Sequence, residues 1–170
     1  MNSDGAVAML VAGFLVIGGF VFWMKWRGRR AFLAAHVSIV DGWRAAGREL
    51  GLRWVVPEEF VRETKRPPAF EGKVEGRTVF MGLVDSADDE DLTPKWQALI
   101  TVALGQDVPS GRDRRKILKS LRRGRRAGAG LKWRELRVLR SGLHTDPARL
   151  VALVREVTAA AEALERLTPA

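Results

Sequence analysis

The stretch GAVAMLVAGFLVIGGFVFWM, residues 5–24, frames the reading of the whole chain. It is twenty residues without a charge, followed at once by Lys25, Trp26, Arg27, Gly28, Arg29 and Arg30. As a helix rising 1.5 Å per residue it would be about 30 Å long, the thickness of a bilayer's hydrocarbon core. The expectation is a transmembrane helix over residues 5–26, closed by a basic stop-transfer segment over 27–30. No Lys or Arg precedes this span and four follow it, so the positive-inside bias puts a short tail, 1–4, outside and the domain 31–170 in the cytoplasm. Lys25, Arg27, Arg29 and Arg30 are the orienting cations, and Trp23 and Trp26 suit the aromatic belt on that side. A cleaved signal peptide would need cations before the apolar run and a small-x-small site after it, and neither is present. Ala8, Ala12, Gly13, Gly18 and Gly19 permit close helix approach, but apolar helices are rich in such residues and a monomeric anchor is the plainer reading.

The rest of the 170-residue chain is enough for one domain with its own core. The chain has no cysteine, which excludes disulfides and thiolate metal sites. Arginine outnumbers lysine 22 to 7 and alanine is abundant, the imprint of a GC-rich bacterial genome, so the inner membrane of a bacterium is the expected location. The net charge of +9 is unevenly spread. Residues 1–30 hold four cations against Asp4, a net +3, and residues 112–126, RDRRKILKSLRRGRR, hold nine against Asp113, a net +8. Everything else sums to −2, so the chain is not a uniformly basic nucleic-acid-binding protein.

Working outward, residues 31–50 place Phe32, Ala35, His36, Ile39, Val40, Trp43, Ala46 and Leu50 at helical spacing. Gly51 stands where a left-handed C-terminal cap belongs, with Leu52 set for the contact beyond it. Gly28 either breaks this helix from the apolar stretch or lets the two run on as one. Residues 52–56 read as a short strand stopped by Pro57, and Pro57 with Glu58 and Glu59 opens a helical turn. Residues 70–84 read as a β-hairpin turning at Glu75-Gly76. The acidic run over 85–91 lacks the spacing of a calcium loop, because its sixth and twelfth positions are Glu90 and Trp96. Residues 96–104 favour a strand over a short helix. The basic segment carries Ile117, Leu118 and Leu121 on one narrow apolar face, and a flexible Ala-Gly-Ala-Gly stretch follows it. Residues 135–140 alternate as a last strand. Asp146 and Pro147 then open a helix striped by Leu150, Leu153, Val154, Val157, Ala161 and Leu164. The fold class expected is α+β, an antiparallel sheet of four to five strands flanked by N- and C-terminal amphipathic helices, behind the transmembrane helix.

Three patterns carry a resemblance: Trp43-x-x-x-Gly47-x-x-x-Gly51-Leu52, Gly72-x-x-x-Gly76-Arg77, and Gly142-Leu143-x-Thr145-Asp146-Pro147-x-Arg149-Leu150. Together they resemble an uncharacterised family of bacterial domains that often follow a membrane anchor. The resemblance covers most of residues 40–165 and implies an α+β sheet flanked by helices. It brings no activity. The compact middle and the arginine-rich segment depart from the family's pattern.

Catalytic motifs are lacking. There is no Gly-x-Ser-x-Gly elbow, and the 105–111 loop has glycines without the lysine of a phosphate loop. His36 and His144 are far apart, which gives zinc little support, and no cofactor is expected. Ser141, His144 and Asp146 are triad residue types, but triad members converge from separate elements and Asp146 reads as a helix cap. The functional expectation is therefore a non-catalytic interaction or scaffold domain on a single-pass anchor. Its contact residues would be Arg112, Arg114, Arg115, Lys116, Lys119, Arg122, Arg123, Arg125 and Arg126, touching anionic lipid head groups or an acidic protein partner. The alternative is a membrane-tethered nucleic-acid-binding protein, with nine cations for phosphates but no interleaved aromatic to stack on bases.

Overall fold

A computed structural model describes residues 3–85, 96–122, 128–142 and 144–167. The order is α1 (Ser3–Glu49), β1 (Arg53–Trp54), α2 (Glu58–Thr64), β2 (Ala69–Val74), β3 (Arg77–Asp85), β4 (Trp96–Ala103), α3 (Arg112–Leu121), β5 (Gly128–Lys132), β6 (Glu135–Ser141) and α4 (Pro147–Glu165). The strands form one antiparallel sheet in the order β1-β2-β3-β4-β6-β5. Strand alternation sends Val79, Met81 and Leu83 of β3, Ala98, Ile100 and Val102 of β4, and Leu136 and Val138 of β6 into the core. The buried stripe of α4 and the Phe32-to-Leu50 part of α1 pack on that layer. Phe80, Leu99, Thr101, Arg137 and Leu139 face the other way and stay half-buried.

The transmembrane expectation does not hold. Among the described residues no helix is long and apolar enough to cross a membrane. Residues 5–26 are not a separate span. They are the first part of the 47-residue α1, which runs through Gly28 and the cations at 27–30 into the packed domain. The single-pass, membrane-integral architecture is therefore corrected, and the orienting role given to Lys25, Arg27, Arg29 and Arg30 loses the span it presupposes. Trp23 and Trp26 lie against cations of their own helix: Arg27 is 5.5 Å from the Trp23 ring centroid and Arg30 is 4.3 Å from that of Trp26.

The sheet has six strands where four to five were expected. The extra one is β5, read from sequence as flexible because Gly128-Ala129-Gly130 contains no β-former. Its register against β6 decides the matter: Ala129 opposite Val138 is buried, and the two glycines fall on the open face. Of residues 96–104, Trp96–Ala103 form strand β4.

The short motifs that carry the family resemblance are structural joints. Gly51, at φ +66°, closes α1: its N–H donates to the Arg48 carbonyl, and the Leu52 N–H reaches the Gly47 carbonyl at 2.8 Å. A Cβ at Gly47 would lie 2.7 Å from the Phe70 ring, so this glycine lets β2 close on α1. A Cβ at Gly42 would overlap the Thr145 backbone carbonyl. Beside it the Trp43 Nε1–H donates to the His144 carbonyl at 2.7 Å. Asp146 caps α4 by accepting from the Ala148 N–H at 3.0 Å, with Pro147 in the first turn. His36 is buried and its Nε2 contacts the Arg66 carbonyl at 3.0 Å; because a carbonyl only accepts, that nitrogen carries the proton. The α2 helix is bound to α1 by Arg62, which donates to Asp41 at 2.7 Å and Glu58 at 2.8 Å. The hydrogen bond from Arg62 holds the Asp41 carboxyl below its ordinary value.

Candidate functional site

The basic segment forms α3, and its sequence dictates how it sits. Leu118 and Leu121 are buried and Ile117 is half-buried, so the narrow apolar face is committed to the core. The cations are left on the remaining arc, and the structure divides them by role. Arg114 turns back and donates to the Val108 carbonyl at 3.3 Å. Arg122 donates through Nε and Nη2 to the Ala129 carbonyl, fixing the end of α3 against β5. Lys116 pairs with Asp113 at 3.3 Å, both well exposed. Arg112, Arg115 and Lys119 are exposed and have no ion-pair partner among the described residues. Arg123, Arg125 and Arg126 lie outside the described residues, as does most of the acidic run at 85–91.

The loop over 105–111 joins β4 to α3 and touches a second feature, the β5–β6 hairpin. Lys132 pairs with Glu135 across a two-residue turn, with Trp133 and Arg134 at its tip. Arg134 donates to Asp107 through Nε at 3.2 Å and Nη2 at 3.4 Å, while the Leu104 N–H donates to the Arg134 carbonyl at 2.7 Å. The same short loop therefore holds Arg134 of the hairpin through Asp107 and Arg114 of α3 through Val108.

Trp133 combines high exposure with a left-handed backbone. Its side chain is 86% exposed, and its backbone sits at φ +57°, a left-handed position that belongs to Gly, Asn or Asp in a tight hairpin. A non-glycine residue there costs about 1–2 kcal/mol. Below the ring lies a hollow of about 550 Å³ lined by Ala103, Leu104, Asp107, Trp133, Arg134 and Glu135. Glu135 is held by Arg137 at 2.6 Å. Sequence reasoning missed Trp133 because the preceding glycines concealed β5, and with β5 the turn. The readable signal was Lys-Trp-Arg-Glu between two runs of strand length.

A neighbouring hollow of about 430 Å³ is lined by Glu75, Gly76, Arg77, Thr78, Ala103, Leu104, Gly105 and Glu165. Three of its polar groups are engaged with one another: Arg77 Nη2 donates to Glu165 at 2.6 Å, and the Gly105 N–H donates to the same carboxylate at 2.6 Å. The Arg77 hydrogen bond holds the Glu165 carboxyl below its ordinary value; partial burial opposes this and the Gly105 N–H assists it. This cluster ties the C-terminus of α4 to β3 and β4. The triad residue types do not converge: the His144 ring contacts the Arg140 carbonyl at 3.2 Å while Asp146 caps α4. Among the described residues no three His, Asp or Glu side chains are grouped so as to hold a metal ion.

No family model matches the chain, and no curated protein and no solved structure matches it either.

Proposed function

We propose that this chain is a non-catalytic interaction domain that holds a polyanionic partner against α3. One observation carries the reading: Arg112, Arg115 and Lys119 stand exposed without ion-pair partners among the described residues, on a helix whose orientation is locked by buried Leu118 and Leu121. Cations neutralised within the fold, such as Arg77 and Arg62, serve the fold. Cations kept free on a fixed helix supply a charge pattern that only a partner completes. Each contact at about 4 Å in water contributes about 1 kcal/mol, so three contribute about 3 kcal/mol, or about a hundredfold in affinity.

The test is fluorescence anisotropy of labelled poly-L-glutamate with the full chain at about 0.15 M salt. The triple variant R112Q/R115Q/K119Q keeps the helix-forming stems and the buried leucines, and loses most of the binding. A triple variant that binds as tightly as the parent chain contradicts the reading.

A further inference from the structure

We infer that the polyanion of this surface is a single-stranded nucleic acid, and that Trp133 stacks on one of its bases. The inference rests on the proposal that α3 binds a polyanion, and it adds the class of partner. Polyanion surfaces that accept single strands combine free cations for phosphates with an aromatic face for bases. From sequence the basic segment lacks the aromatic. The fold supplies it, because the 105–111 loop is held by Arg134 at the hairpin tip and by Arg114 of α3.

Three features of the tip select a nucleic acid over an acidic peptide. The Trp133 ring is 86% exposed and held away from the core by a left-handed backbone that a glycine would adopt without strain. A strained, solvated aromatic has no folding role in the described contacts, and a base of any identity offers a π-face to it. Lys132, its neighbour in sequence, is exposed and adds a cation at the hairpin tip. The hollow under the ring also carries Asp107 and Glu135, each held by an arginine. Their oxygens can accept hydrogen bonds from the ring N–H and exocyclic amino groups on base edges, donors that ionised acidic side chains lack. The strand must be single, since bases inside a duplex are already stacked on one another.

The experiment titrates the full chain into a fluorescein-labelled single-stranded oligonucleotide of mixed sequence, about 20 nucleotides long, at about 0.15 M salt, beside labelled poly-L-glutamate. Variants W133A, W133F and W133G are compared with R112Q/R115Q/K119Q. The expected result is tighter binding to the oligonucleotide than to polyglutamate. W133A and W133G should weaken oligonucleotide binding at least fivefold while leaving polyglutamate binding unchanged, and W133F should retain most of it. The triple variant weakens both. Polyglutamate binding that depends on α3, with oligonucleotide binding no tighter or indifferent to W133A, overturns the nucleic-acid inference and leaves the polyanion reading standing. Absence of binding to both probes overturns both. W133G also serves as a folding control: because glycine suits φ +57°, its melting temperature should equal or exceed the parent's. A large drop would assign Trp133 to the fold and overturn its role as a stacking platform.

Discussion

Replacing Gly42 by alanine separates helix propensity from packing within one helix. In an exposed helix this substitution stabilises by about 1 kcal/mol, because glycine loses more backbone entropy on folding. At Gly42 the new Cβ would overlap the Thr145 carbonyl oxygen and lie 2.9 Å from the Thr145 carbonyl carbon, both backbone atoms that no rotamer change can move aside. Either α1 or the segment leading into α4 must shift by about 1 Å to restore contact distance. Overpacking of this kind costs about 1–3 kcal/mol. The shift also stretches the 2.7 Å bond from Trp43 Nε1 to His144, worth about a further 1 kcal/mol. Net of the propensity gain, G42A should destabilise by about 1–3 kcal/mol. For a chain of this size that lowers the melting temperature by about 2–10 °C. The control is G19A in the same helix, where nothing lies within 4 Å of the added Cβ; its melting temperature should match or exceed the parent's. Differential scanning calorimetry of the three proteins reads both effects. A G42A protein as stable as G19A would refute the packing of α1 against the Thr145 segment.

Two other contacts can be perturbed in the same way. Glu165 has a depressed carboxyl pKa in the fold, so its contribution is fully present above the ordinary glutamate value, about 4.3, and is lost as pH falls through the lower folded value. E165Q should therefore lower the urea midpoint at pH 7 and flatten the loss of stability at acid pH; a variant with the parent's pH dependence would count against the Arg77–Glu165–Gly105 cluster. D146A removes the cap of α4 and should cost about 1 kcal/mol by urea denaturation, and no change in midpoint would argue that the helix begins elsewhere.

Much of the fold was legible because local chemistry and tertiary packing agreed. Gly51-Leu52 announced the end of α1, Asp146-Pro147 the start of α4, and Glu75-Gly76 the turn between β2 and β3. Two segments misled, each for a physical reason. Gly128-Ala129-Gly130 has no intrinsic strand preference, and only the pairing of Ala129 with Val138 over the core makes it β5. Residues 5–26 satisfied a composition rule for a membrane span, yet they continue without a break into the packed part of α1, and no span is found among the described residues. The basic helix could be read as a contact surface from charge alone. Which of its arginines are spent inside the fold, Arg114 and Arg122, and which stay free could not, because the carbonyls of Val108 and Ala129 that accept from them are placed by the loop and by β5. Trp133 was hidden for the same reason: without β5 there is no turn to strain.

The salt dependence of oligonucleotide binding tests the central claim most directly. If Arg112, Arg115 and Lys119 each meet a phosphate, the parent chain's affinity falls steeply with ionic strength. The triple variant R112Q/R115Q/K119Q should then lower the steepness of log K against log salt by about 2, since each contact with a single strand contributes about 0.7. W133A should weaken binding at every salt concentration and leave that slope unchanged, since stacking releases no counterions. Equal slopes for the parent and the triple variant would contradict the account.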